Sequence, residues 1–109
     1  DDAAVREVRE ETGVRVRLVG ERGLDVEYPP QLVRPYGVQV ENIKPGVQHI
    51  DLVYFAVPRD DDCEVSSECA TRDRAGWYDA AELAALGAND EIRGWVAKAT
   101  TVVIGSHLG

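Results

Sequence analysis

The feature that most constrains this chain is a helix that stops at a glycine and leads directly into a strand. Residues 1–12 have helical periodicity, with Val5 and Val8 on one apolar stripe. Gly13 can adopt the left-handed conformation that ends many helices. Residues 14–18 then alternate apolar and charged side chains, which is typical of a half-buried strand. The sequence therefore predicts a helix that is joined tightly to a sheet.

The remaining pattern predicts an α/β fold. The further elements expected along the chain are a strand at 36–43, a turn at 44–46, a strand at 49–57, a loop at 59–74 and a short strand at 76–78. The strand at 49–57 is apolar on both faces apart from Asp51. We therefore expect it to be the most buried strand of a mixed sheet, with helices on both sides.

Two C-terminal helices are predicted from their end signals. Asp79 and Glu82 have the spacing of a capping box, and Leu83 and Leu86 are expected to face inward on the helix that follows. Asn89 or Asp90 is expected to cap the last helix.

Composition limits the classes of function. The 109 residues are enough for one domain, and 44% hydrophobic residues can form a core. The 12 basic and 20 acidic residues give a net charge of -8, which argues against a nucleic-acid polymer or an anionic membrane as partner. No apolar run approaches the roughly 20 residues that span a bilayer. Two cysteines are too few for a disulfide scaffold, so we expect a reducing cytoplasm.

Three glutamates share one face of the first predicted helix. Glu7, Glu10 and Glu11 are spaced i, i+3 and i+4, which brings their carboxylates together on the helix surface. Arg6 can pair with Glu10 and offset part of the repulsion. A hard cation such as Mg²⁺ would turn the remaining repulsion into binding, because it takes carboxylates, water and substrate phosphates as ligands. A solvated acidic surface is the alternative that the charge pattern alone leaves open.

Residues 6–14 resemble the second half of the Nudix box, G-x5-E-x7-R-E-U-x-E-E-x-G-U, in which U is a bulky aliphatic residue. Every specified position of that half is filled, by Arg6, Glu7, Val8, Glu10, Glu11, Gly13 and Val14. Residues 76–83 also resemble the aromatic and acidic segment that many Nudix domains carry after the catalytic loop. The resemblance implies an α/β/α sandwich around a mixed β-sheet.

The resemblance further implies that residues 1–109 are a single Nudix domain without its N-terminal strands and the first half of the box. We therefore expect an exposed strand edge or an open groove beside residues 14–18. A partner chain could fill such a groove, which leaves a homodimer open.

The function that the resemblance implies is that of a Nudix hydrolase, a nucleotide pyrophosphatase. Such an enzyme cleaves the pyrophosphate bond of a small nucleotide, a nucleoside diphosphate linked to another group, with Mg²⁺ or Mn²⁺. Glu7, Glu10 and Glu11 would hold the metal, and Arg6, Glu10 and Glu11 would be the catalytic residues. Arg6 would orient the acids, and Glu11 would be the direct ligand. The general base varies in the family, and the candidates are Glu10, Glu64 and Glu68.

Two other classes of function remain open from the sequence. One is a non-catalytic Nudix-like domain that senses a nucleotide or binds a partner, and the other is a plain structural or dimerisation domain. The acidic triad favours the enzyme, since neither alternative requires three metal-facing acids. Arg34 and Tyr36, beside a proline-rich stretch, are candidates for contacting the substrate.

Other polar and aromatic residues are expected to have structural roles. Cys63 and Cys69 have neither zinc-site nor redox spacing and are expected to be ordinary loop thiols. His49 is expected to be a hydrogen-bonded residue of the buried strand, and Trp95 to pack in the core. The acidic run at 60–62 is expected to be a solvated loop.

Overall fold

The computed structural model describes residues 2–59, 64–72 and 74–108, with side chains through residue 105. The class is α/β, as predicted. The helices and strands are, in chain order, α1 Asp2–Thr12, β1 Val16–Val19, β2 Gly37–Lys44, β3 Val47–Val53, β4 Phe55–Pro58, α2 Ser67–Arg72, α3 Ala80–Ala85 and α4 Asp90–Leu108.

The strands form two separate two-stranded sheets. β1 pairs with β4, with Val16 opposite Pro58, and β2 pairs with β3, with Gly37 opposite Val53. Both pairs are antiparallel, so the described strands do not combine parallel and antiparallel neighbours as the expected mixed sheet would. The turn predicted at 44–46 joins β2 to β3 directly, so the two strands pair as an antiparallel hairpin.

The chain divides into two compact units. One unit contains residues 1–10 and 14–63, and the other contains residues 11–13 and 64–109. The first unit includes all four strands and the buried residues Val14, Val16, Val19, Val33 and Phe55. In the second unit, Cys69 is buried among the described residues. One domain over residues 1–109 stays a prediction.

The prediction of a buried central strand is wrong. The apolar run is divided between β3 and β4 at Tyr54, and the two strands pair with different partners. Ile50 is 72% exposed and Leu52 is 54% exposed. Val38 lies opposite Leu52 in the β2–β3 ladder and is also exposed, so this face of the hairpin is apolar and open to solvent. The apolar run at 49–57 indicates a strand with two apolar faces, but only tertiary packing decides whether another layer of the fold covers those faces.

The region predicted as a loop contains α2. The hydroxyl of Ser66 accepts a hydrogen bond from the Cys69 amide at 3.1 Å, which is the bonding pattern of a helix N-cap. Residues 76–78 lie outside any strand, so the short strand predicted there is also wrong. The Tyr78 hydroxyl instead donates to the Arg74 carbonyl oxygen at 2.9 Å, which closes a local turn.

The predicted helix caps are confirmed. The Asp79 carboxylate accepts from the Glu82 amide at 2.7 Å, and the Glu82 carboxylate accepts from the Asp79 amide at 3.0 Å. The Asn89 side chain accepts from the Ile92 amide at 2.9 Å, which decides the cap of α4 in favour of Asn89. Leu86 is 68% exposed, so its predicted inward orientation is wrong. It forms the C-cap of α3, a helix that has no buried residue.

Helix α4 is the longest helix, with 19 residues. Trp95 is half-buried rather than fully in a core, and the Lys98 ammonium lies 5.8 Å from its ring centroid. Across the described residues, no helix combines the length and apolar character needed to cross a membrane.

An open groove adjoins β1, as predicted. A cavity of about 430 Å³ is lined by Val16, Arg17 and Leu18 together with residues of the connection that follows β1. Within the described part of the chain β1 pairs with β4 alone, so its other edge is unpaired.

Candidate active site

Helix α1 places the three glutamates on one exposed face. Glu7, Glu10 and Glu11 are all exposed, whereas Val5 and Val8 are half-buried. A helix advances about 100° per residue, so the three acids lie within about 100° of one another around the axis. The helical spacing predicted from the sequence is confirmed for this triad.

Arg6 and Glu10 form the ion pair expected from their spacing. The Arg6 Nε lies 3.7 Å from a Glu10 carboxylate oxygen, and the two side chains are 66% and 65% exposed. A solvated helix pair of this kind contributes only about 0.3–0.5 kcal/mol. The ion pair therefore acts mainly by holding Arg6 beside the acidic face. It does not offset the charges of Glu7 and Glu11.

The donor set of the triad fits Mg²⁺ or Mn²⁺ without forming a closed cage. In the described residues, no three acidic, histidine or cysteine side chains converge closely enough to enclose a metal ion. Mg²⁺ needs no such cage, since it keeps several waters and is usually held by one or two carboxylates and by substrate phosphates. An exposed row of carboxylates on a rigid helix meets that requirement.

Gly13 fixes the exit of the chain from α1. Its φ is +81°, in the left-handed region that favours glycine. A Cβ at this position would lie 2.9 Å from the Cβ of Ser66 and 3.3 Å from the Ser66 backbone nitrogen. Glycine is therefore required twice here, by the backbone conformation and by the close approach of residue 66.

Gly13→Ala is expected to lower the free energy of unfolding more than Gly46→Ala. Gly46 has φ +80°, but a Cβ added there would meet nothing within 4 Å, so alanine should cost only the left-handed strain, about 1–2 kcal/mol. Alanine at position 13 should cost about 1–3 kcal/mol more, because Ser66 must move. Urea unfolding of the two variants measures the difference. Equal losses would contradict the close approach to Ser66.

The segment at 64–68 is tied to the end of α1. The Ser66 amide donates to the Thr12 carbonyl oxygen at 2.8 Å, which satisfies one of the free carbonyls at the helix C-terminus. Glu64 is exposed two residues before Ser66. Glu68 lies in the first turn of α2 and pairs with Arg72 at 3.3 Å. Both candidate bases thus belong to a segment that contacts the residue directly after Glu11. Ser66 makes this connection. The one sequence feature that could have indicated its role is its position directly before a short helical run.

The predicted substrate contacts lie at the C-terminal end of the long connection between β1 and β2. Arg34 is exposed, and its amide donates to the Glu21 carbonyl oxygen at 2.8 Å. The Tyr36 ring stacks on Phe55 with the centroids 4.5 Å apart, so one face of that ring is used in packing. Neither residue was predicted to pack in this way.

Gln31 organises the same connection, and sequence reasoning missed it. Its side-chain oxygen accepts from the Leu24 amide at 3.1 Å, and its side-chain nitrogen donates to the Pro29 carbonyl oxygen at 2.9 Å. The one signal in the sequence was a polar residue directly after two prolines, which is too common to be specific.

The remaining predicted residues are assigned as follows. His49 is exposed on β3, opposite Glu41, so its predicted place in a buried strand is wrong. Cys69 is buried in α2 rather than in a loop. Cys63 and the acidic run at 60–62 lie outside the described residues.

Comparison with known protein families identifies the class. The NUDIX domain model matches residues 1–99, which include all of α1 and the acidic triad. The chain therefore belongs to the NUDIX domain family, whose members are typically hydrolases that use divalent metal ions and bind nucleotide substrates. Neither the comparison with curated proteins nor that with solved structures gives a match.

Proposed function

We propose that the chain is a Nudix hydrolase that cleaves the pyrophosphate bond of a nucleoside diphosphate linked to another group, with Mg²⁺ or Mn²⁺ as cofactor. The observation that carries this proposal is the exposed acidic face of α1, with Glu7, Glu10 and Glu11 in a chain of the NUDIX domain family. Like charges at this spacing weaken a helix. A domain that only binds a partner gains nothing from them, whereas a metal-dependent hydrolase requires them.

Each residue of the face has a separate role in the proposal. Glu11 is the direct ligand of the metal, and Glu7 and Glu10 complete the negative site. When bound there, a divalent metal would supply charge to neutralise the phosphates and would lower the pKa of the attacking water. Arg6 holds the Glu10 carboxylate in position through their ion pair. The proton of the water passes to Glu10 or to an acid of the segment at 64–68.

The substrate is a small nucleotide in this proposal, and Arg34 and Tyr36 are its candidate contacts. Arg34 is exposed and free of burial cost, so its guanidinium can meet a phosphate oxygen. Tyr36 offers the ring face that is not stacked on Phe55. The net charge of -8 disfavours a nucleic-acid polymer or an anionic membrane as partner. A cytoplasmic location and a homodimer complete the proposal.

A substrate panel tests the proposed reaction. The protein is incubated with ADP-ribose, sugar nucleotides, dinucleotides and oxidised nucleoside triphosphates, each with Mg²⁺, with Mn²⁺ and with a chelator. We expect release of a nucleoside monophosphate or of pyrophosphate from at least one substrate, and none with the chelator. Nucleotide binding without turnover under every metal condition would favour the non-catalytic binding domain.

A further inference from the structure

One serine joins the end of α1 to the start of α2 through three of its polar groups. The Ser66 amide donates to the Thr12 carbonyl oxygen at 2.8 Å. The Ser66 hydroxyl oxygen accepts from the Cys69 amide at 3.1 Å, and its carbonyl oxygen accepts from the Ala70 amide at 2.9 Å. All four residues belong to the same compact unit. Ser66 therefore sets the position of the start of α2 relative to the C-terminal end of α1.

The junction between α1 and α2 is also closely packed. Ser66 is half-buried, and Cys69, which donates to its hydroxyl, is 5% exposed. Gly13 approaches Ser66 so closely that an added Cβ would lie 2.9 Å from the Ser66 Cβ. A side chain that is held both by hydrogen bonds and by packing keeps its neighbours in a narrow range of positions. The junction is thus a rigid support for the residues on either side of it.

Two exposed acids from distant parts of the sequence flank this junction. Glu11 directly precedes Thr12, whose carbonyl oxygen accepts from Ser66. Glu64 is two residues before Ser66, so the Cα atoms of these two residues are at most about 7 Å apart. Glu11 and Glu64 also lie in the same compact unit. The contact between Ser66 and Thr12 consequently fixes the backbone of one acid relative to that of the other.

Glu68, the other acid of the segment, is directed elsewhere. It lies in the first turn of α2, and its carboxylate pairs with Arg72 at 3.3 Å. Arg72 is one turn further along α2, away from the contact with Thr12. Position therefore favours Glu64 over Glu68 as the acid that acts together with α1.

We propose that Ser66 is a positioning residue of the hydrolytic site and that it acts through Glu64. This inference rests on the proposed function. Ser66 holds the Glu64 carboxylate beside the end of α1, where it accepts a proton from the attacking water. The water oxygen forms a bond to phosphorus, and the bond from that phosphorus to the bridging oxygen breaks, with its electron pair staying on the leaving phosphate. A misplacement of about 1 Å can cost on the order of a hundredfold in rate, so the rigidity of the junction affects turnover.

Ser66→Ala tests the positioning role. The substitution removes the acceptor for the Cys69 amide and keeps the Ser66 backbone amide. We expect kcat with Mg²⁺ to fall about tenfold or more and KM to stay within about twofold, because the base moves while the substrate contacts do not. Ser66→Asn and Ser66→Thr keep an N-cap acceptor, and at least one of them should recover most of the lost kcat. An unchanged kcat in Ser66→Ala, or no recovery in either conservative variant, would overturn the proposal.

Asn89→Ala is the matched control for the loss of an N-cap. Asn89 caps α4 in the same unit, where its side chain accepts from the Ile92 amide at 2.9 Å. This variant should lower the thermal unfolding midpoint to a similar extent as Ser66→Ala and leave kcat within about twofold of the wild-type value. Equal falls of kcat in the two variants would mean that only the stability of the unit matters, and the positioning role would be refuted.

A double-mutant cycle shows whether Ser66 acts through Glu64. Glu64→Gln alone should lower kcat about a hundredfold or more, as expected for loss of a general base. Adding Ser66→Ala to Glu64→Gln should then change kcat by less than about twofold, since residues that act as a unit are not additive. Losses that multiply in the double variant would show that Ser66 does not act through Glu64, which would overturn the inference.

Hydrogen exchange provides a readout that does not depend on turnover. Exchange of the Ser66 amide should become about tenfold faster in Ser66→Ala, because loss of the cap loosens its contact with Thr12, and should be unchanged in Asn89→Ala. Unchanged exchange in Ser66→Ala would contradict the support of that contact by the side chain. If the wild type cleaves no nucleotide with either metal, the proposed function fails together with this inference. If the wild type is active and Ser66→Ala keeps its kcat, this inference alone fails.

Discussion

Glu11→Gln is expected to reduce metal-dependent pyrophosphate-bond cleavage by orders of magnitude while leaving the fold intact. The substitution keeps the size of the side chain and removes the charge of the proposed direct ligand. Glu11 is exposed on α1, so the change exposes no core. It also relieves the repulsion with Glu7 at i+4, so the free energy of unfolding should stay the same or rise by a few tenths of a kcal/mol, roughly. Turnover is measured with Mg²⁺ and Mn²⁺, and thermal unfolding is measured without metal.

Glu27→Gln is the matched control for the loss of one negative charge. Glu27 is exposed in the connection between β1 and β2, and its change should leave turnover near the wild-type value. Glu64→Gln should cost less than Glu11→Gln unless Glu64 is the general base. Wild-type turnover in a folded Glu11→Gln protein would mean that the acidic face is only a solvated surface. A Glu11→Gln protein that unfolds would contradict the expected stability.

Phe55→Ala is expected to lower the free energy of unfolding by about 3–5 kcal/mol. Phe55 is 5% exposed, stacks on Tyr36 and lies opposite Val19 in the β1–β4 ladder. Removing the ring leaves a cavity beside Val19, which is buried on β1. Such a loss is a large fraction of the ~5–15 kcal/mol that stabilises a typical domain. Equilibrium unfolding in urea gives the value, and Phe55→Leu should lose less because it fills part of the cavity.

Ile50→Ala is the control, five residues earlier in the same apolar run. Ile50 is 72% exposed, so its truncation should cost less than about 1 kcal/mol, which is the range of strand propensities. By sequence alone the two residues belong to one buried strand and should be equally sensitive. Similar losses at both positions would indicate that the β2–β3 face is covered in solution.

Local features of the fold could be predicted because their causes lie within a few residues. The α1 boundary at Thr12, the left-handed Gly13 and the capping box of Asp79 and Glu82 all match the structure. Each depends on a backbone restriction or on a hydrogen bond over three or four positions. The acidic face of the candidate site was predictable for the same reason, since helical spacing alone aligns Glu7, Glu10 and Glu11.

Strand partners and burial could not be predicted, because they depend on residues distant in sequence. The apolar run from Ile50 to Val57 has no break that marks Tyr54 as the point where the pairing changes from β2 to β1. Helix α2 was missed because its six residues are too few to establish a helical period. A pattern of apolar residues shows which faces can be buried, but not which element covers them.

By itself, the sequence determined the acidic helix of this protein and the glycine that ends it, and it indicated the NUDIX domain family through residues 6–14. Only the tertiary structure decided which residues meet: Ser66 with Thr12, and Phe55 with Tyr36. The physical reason is the range of the forces involved. Helical spacing, caps and φ restrictions act between near neighbours in the chain, whereas packing and hydrogen bonds between elements act between any groups that the folded backbone brings together.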